Sequence, residues 1–133
     1  MPPNRGSLAG VRTGELALER NESGLAVLTI SGEHDLSTAP NVRRRLDHLL
    51  EEGIPTVVDL SPATFIDSSI LGVILDGRRR AADSGIGFAV VHANGADAVD
   101  RVLEVTGLRA ELPVHARREE AFTEVSGSGK PPA

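Results

Sequence analysis

Cysteine, tryptophan and tyrosine are all absent from this chain of 133 residues, three phenylalanines are its only aromatic residues, and Lys130 is its one lysine. Without cysteine there can be no disulfide, no thiolate catalysis and no Cys-ligated metal site. Without Tyr or Trp, a base-stacking platform for single-stranded nucleic acid lacks its usual rings. A net charge of −5 also argues against the clustered positive charge that phosphate-backbone binding requires. No apolar run approaches the roughly 18 residues of a membrane span. Met1-Pro2-Pro3-Asn4-Arg5-Gly6 carries no hydrophobic signal segment. The expectation is a cytoplasmic protein that uses neither nucleic acid nor membrane as a partner and needs no cofactor.

What is present is enough apolar sequence, 40% of the residues, to build one core. Residues 1–12 read as a flexible lead-in, 13–125 as one domain, and 126–133, rich in Gly, Ser and Pro, as a disordered tail. Glu15-Leu16-Ala17-Leu18-Glu19 and Leu25 to Ile30 flank the turn chemistry of Asn21-Glu22-Ser23-Gly24, which predicts an antiparallel hairpin. Ser37 or Thr38 can cap a helix carrying Val42, Leu46, Leu49 and Leu50 on one face, with Gly53 at its left-handed end and Pro55 beyond. Thr56 to Leu60 is a short buried strand. A helix from Ser69 to Gly85, a strand at Phe88–Val91, a helix opened by Asn94 or Asp97 and ended by Gly107, an edge strand at Leu112–Val114 and a last helix from Ala116 to Val125 follow. This order predicts an α/β domain: a mixed, mostly parallel sheet of four to five strands with about four helices packed against it.

The chemistry concentrates in Thr64-Phe65-Ile66-Asp67-Ser68-Ser69-Ile70-Leu71-Gly72. A strand-like run ends there in three capping residues, and a helical apolar pattern begins. Asp and Ser cap helices because their oxygens accept from the free N–H groups of the first turn. Three in a row exceed what a cap needs, so at least one hydroxyl should face solvent at the positive end of the helix, where a phosphoryl group is tolerated. Glu33-His34-Asp35, after the second strand, should lie at the same carboxyl end of the sheet, where sites of such folds collect.

With its flanks, Asp59-Leu60-Ser61-Pro62-Ala63-Thr64-Phe65-Ile66-Asp67-Ser68-Ser69 resembles the signature of the STAS domain, specifically the bacterial anti-sigma factor antagonists. Gly32-Glu33-His34-Asp35 is similar to the family's Gly-Glu-x-Asp, and Val102 to Leu108 to its third-helix ending. The resemblance implies a partner switch without enzymatic activity of its own. Such an antagonist binds an anti-sigma factor with serine kinase activity, which supplies ATP and Mg²⁺, and so releases a sigma factor. Phosphorylation of the Ser directly after the motif Asp, here Ser68, ends the binding, and a phosphatase restores it. The partner surface implied here comprises Glu33, Asp35, Asp67, Ser68, Ser69 and Ile70, on a monomer or weak dimer. Ile70 departs from the family, which usually has Gly there, and is expected to narrow the approach of a kinase loop or to serve a different partner.

Other readings fit less well. A scaffolding STAS module for a signalling complex or transporter, free of phosphate control, is the alternative that Ile70 supports. A phosphoacceptor receiver built on Asp59 would use a lysine near its site, and the only lysine is Lys130. A small hydrolase would need a G-x-S-x-G elbow or a His beside Ser68, and the sequence shows neither. His34 could approach Ser68 across the loops, yet one unplaced His is far more often a surface or capping residue, and His48, His92 and His115 lack ligand-like spacing. Arg78-Arg79-Arg80 spans too much of a helix circumference to form one anion-binding face, and reads as a solvated helix end that complements the dipole.

Overall fold

The turn after the first strand is organised around the side chain of Asn21. Asn21 Oδ1 accepts from the amides of Ser23 and Leu25 and from the Ser23 hydroxyl, and Gly24 takes the left-handed conformation, with φ of 88°. It joins β1 (Glu15–Arg20) to β2 (Ala26–His34) as the expected antiparallel pair. This is a computed structural model, and it describes residues 14–93, 98–107 and 110–127. Residues 1–12, the cap candidates Asn94 and Asp97, Leu108 and residues 128–133 lie outside that set.

The remaining elements are α1 (Ala39–Glu51), β3 (Thr56–Asp59), β4 (Ala63–Ile66), α2 (Ser68–Ser84), β5 (Phe88–Val91), α3 (Ala98–Thr106), β6 (Val114–His115) and α4 (Arg118–Gly127). The sheet runs in the order β1-β2-β3-β5-β6, and every pair after the hairpin is parallel. β3 and β5 are buried at every position, as central parallel strands covered on both faces are.

Two apolar layers follow from the alternation along these strands. Leu28, Ile30, Val58 and Val90 face α1, α2 and α3, where Val42, Leu46, Leu71, Ile74 and Leu103 complete the main core. Val27, Val57, Ala89 and Val91 face Ala121 and Val125 of α4 on the other side. α1 and α2 run side by side in one direction, joined by an ion pair from Arg43 to Asp76 at 3.1 Å and by a second from Arg80 to Asp47.

The predicted element order has one strand between the first two helices, and the structure has two, the second at the strand-like run that ends in Ile66. β4 pairs with the far end of β2 in parallel, which brings the sheet to six strands. β2 reaches it because a β-bulge between Gly32 and Glu33 shifts the register, and Gly32 supplies the φ of 79° found there. α4 takes in Ser126 and Gly127, which had been assigned to the tail.

The arginine triplet spreads as its spacing requires. Arg79 pairs with Glu111 and Arg80 with Asp47, while Nε of Arg78 is buried with no partner among the described residues. No basic residue occupies the last turn of α2, so Arg79 and Arg80 serve lateral ion pairs and none of the three complements the helix dipole there.

Candidate functional site

The extended β2 and the short β4 decide where the site is. Glu33 pairs with Phe65 and His34 with Ile66, so the next residues, Asp35 and Asp67, leave two adjacent strands at one level. Residues 33–35 and 67–69, separate in sequence, are thereby placed side by side. Local turn chemistry then fixes each loop.

Asp67 is the N-cap of α2, with an extended backbone and a side chain that accepts from the amides of Ser69 (3.0 Å) and Ile70 (3.2 Å). The same oxygen takes the hydroxyl of Ser69 at 2.5 Å. Ser68, the first residue of the helix, is exposed, and its hydroxyl has no hydrogen bond to a described residue. Two neighbouring serines thus differ in availability: one hydroxyl is engaged by the cap carboxylate and the other projects to solvent. The first turn of α2 holds no acidic side chain.

In the facing loop, Asp35 Oδ1 accepts from the amide (2.9 Å) and hydroxyl (2.6 Å) of Ser37. The Ser37 hydroxyl, followed by its amide, holds the Asp35 carboxyl below the ordinary carboxylate range. Thr38 is the N-cap residue of α1 but makes no side-chain cap bond; its hydroxyl instead accepts from the Asp35 amide. Glu33 and Asp35 are both exposed.

His34, between them, is only 2% exposed. Its Nε2 lies against the carbonyls of Glu15 (3.3 Å) and Ser31 (3.1 Å), and Nδ1 lies 3.0 Å from the Thr38 hydroxyl. The two carbonyls require the proton on Nε2. A ring locked in this way is a structural tie and not a base for Ser68.

Ile70 was expected on the partner surface, and its side chain is elsewhere. It is 0% exposed and packs in the main core with Leu71 and Ile74. Its expected obstruction of a kinase loop has no exposed atoms from which to act. Conversely, Leu36 (73% exposed) and Phe65 (40% exposed) place apolar surface beside the acidic loop. They went unselected in the sequence reading, although an apolar residue in the polar stretch Asp35-Leu36-Ser37 was a usable signal.

Asp59, the receiver-like alternative, is 5% exposed and accepts from Arg118 Nε at 2.8 Å and from the Ser61 amide at 2.9 Å. Its two oxygens are committed to holding α4 and a turn. No group of three or more His, Asp and Glu among the described residues is placed to hold a metal ion. A hollow of about 630 Å³, lined by Leu25, Leu50, Gly53, Ser84 and Val125 among others, lies where α1, α2 and α4 end, away from residues 33–35 and 67–69. No described helix is long and apolar enough to cross a membrane.

The sequence and the fold resemble those of known proteins. Residues 17–114 match the family model described as Mlab, STAS domain, and the chain belongs to the STAS-domain family. An anti-sigma F factor antagonist from Paenibacillus polymyxa is 32% identical over 104 residues, covering 77% of this chain and 87% of that one. The crystal structure of an anti-sigma factor antagonist from Mycobacterium paratuberculosis superposes with a TM-score of 0.73 at 26% identity, over 86% of this chain and 95% of that one. The phosphorylated form of the Bacillus cell fate determinant SpoIIAA shares the fold, with a TM-score of 0.64 at 21% identity over 84% of this chain and 99% of that one.

Proposed function

We propose that this protein is an anti-sigma factor antagonist that works as a cytoplasmic partner switch. Unphosphorylated, it binds an anti-sigma factor with serine kinase activity and so frees a sigma factor. That partner, supplying ATP and Mg²⁺, phosphorylates Ser68 and is released, and a phosphatase resets the switch. The chain is then a substrate and a ligand, not a catalyst. One observation carries the assignment: Ser68 is exposed with an uncommitted hydroxyl, whereas the Ser69 hydroxyl is bonded to Asp67.

The chemistry of release follows from the neighbours. Phosphate adds about −1.5 to −2 charge at a helix N-terminus, which tolerates it, so the fold stays intact. Glu33, Asp35 and Asp67 flank that charge. A docked partner covering Leu36 and Phe65 strips water from all of them, and the uncompensated negative charge opposes docking. Ser69 contributes by keeping the cap in place, and Ile70 supports the turn from beneath. Because Ile70 faces the core, its side chain gives no surface argument for a scaffold without phosphate control.

Incubation with an anti-sigma factor kinase and Mg·ATP, followed by mass spectrometry, tests the reading. Phosphate is expected on Ser68, lost in Ser68→Ala and retained in Ser69→Ala. Full incorporation into Ser68→Ala would overturn the assignment. Leu36→Ser and Phe65→Ser should each weaken binding of the unphosphorylated protein by about tenfold; the thermal midpoint should be unchanged in Leu36→Ser and lowered modestly in Phe65→Ser, since Phe65 is more than half buried.

A further inference from the structure

Behind the acidic loop, between β1 and the first turns of α1, lies a hollow of about 300 Å³ lined by Leu16, His34, Thr38, Asn41, Arg44 and Arg45. His34 and Thr38 form a floor already bonded to carbonyls and to each other. Arg43, Arg79, Arg80, Arg117 and Arg118 each pair with a carboxylate. Arg20, Arg78 and Arg101 have no carboxylate partner among the described residues and stand singly; Arg44 and Arg45 are without one and share a hollow. Arg44 reaches the amide oxygen of Asn41, and Arg45 makes no hydrogen bond or ion pair to a described residue. In a chain of net charge −5, two adjacent guanidinium groups without a carboxylate face the same hollow.

We propose that this hollow binds a small dianionic oxyanion, phosphate or a short phosphate monoester, through Arg44, Arg45 and Asn41. Each guanidinium offers a planar fork of donors that matches two oxygens of a phosphate, and two such groups balance a dianion. Asn41, whose oxygen accepts from Arg44, retains its Nδ2 as a further donor. Among the described residues, Leu16 is the one apolar side chain in the lining, so an acyl chain finds no wall of them to lie against. The shared chemistry is a phosphate group, and a free small molecule suits the site better than a lipid headgroup. The site is separate from Ser68 and does not depend on the antagonist reading.

The full chain, labelled with ¹⁵N, is titrated with inorganic phosphate against chloride at constant ionic strength, so that general screening does not change. Saturable shifts are expected at the amides of His34, Asn41, Arg44 and Arg45. Arg44→Gln/Arg45→Gln, at exposed positions, should weaken binding by at least about tenfold, and Arg43→Gln should leave it unchanged. Absence of saturation in the wild type, or an unaltered titration in the double variant, would overturn the site. Flotation with phosphatidic acid vesicles distinguishes the source: no flotation is expected, and flotation abolished by the double variant would overturn the small-molecule assignment.

Discussion

Asp67 bears three donors on one oxygen, and two consequences follow at the scale of the residue. Asp67→Ala should lower stability by about 1 kcal/mol in urea unfolding, the ordinary effect of a lost N-cap. It should also free the Ser69 hydroxyl, so mass spectrometry after kinase treatment should find phosphate on both serines, against the single phosphate on Ser68 that the proposed function expects of the wild type. Asp35 offers a pH test. Its folded pKa is depressed, so the favourable term is present above the ordinary carboxylate range and is lost as pH falls through the lower, folded value. Ser37→Ala should bring the Asp35 titration back up toward the ordinary range in a carboxyl ¹³C NMR experiment. Ile70→Ala should cost about 2–5 kcal/mol, as for a buried aliphatic side chain, and leave the surface chemistry of Ser68 unaltered. The position of Ile70 was legible, since Ile70, Leu71 and Ile74 form one helical stripe, and a residue on that stripe cannot also line the partner surface. The difference between Ser68 and Ser69 was not legible. Both lie within two residues of Asp67, and only the geometry of the cap decides which hydroxyl is engaged.

Among the elements, α1, α2, β3 and β5 announced themselves through periodicity and glycine stops, and Gly53 and Gly85 do take the left-handed conformation. β4 did not. Its Ala63-Thr64-Phe65-Ile66 is buried only at its two ends, and its partner is a section of β2 that exists because of a bulge. Gly32 was the clue, and with φ at 79° a Gly32→Ala change should cost about 1–2 kcal/mol and loosen the β2–β4 pairing, visible as faster amide exchange at Glu33 and Phe65. α2 begins without an acidic residue in its first turn. Phosphate on Ser68 should therefore raise the thermal midpoint, by an amount corresponding to about 0.3–1 kcal/mol, while far-UV circular dichroism stays constant. A melted domain would instead make folding itself the switch.

At the scale of the molecule, Arg118 ties the back layer to the sheet. It bonds Asp59 at 2.8 Å and the Thr29 hydroxyl at 3.2 Å, and lies 3.6 Å from Glu19. No periodicity in the sequence links residues this far apart, which is why the strand order was readable and this clamp was not. Arg118→Ala leaves a nearly buried carboxylate unpaired and should lower global stability by about 1–3 kcal/mol, whereas the double change with Asp59→Asn should recover part of that loss. The paired strand ends at His34 and Ile66 have a wider effect. They make the spacing between the two loops a property of the backbone ladder, so Glu33, Leu36 and Phe65 can diverge without moving Ser68. On the proposed function, a cell holding several such proteins can therefore keep its signalling pairs insulated from one another by changing a few exposed side chains, while each copy keeps the same frame.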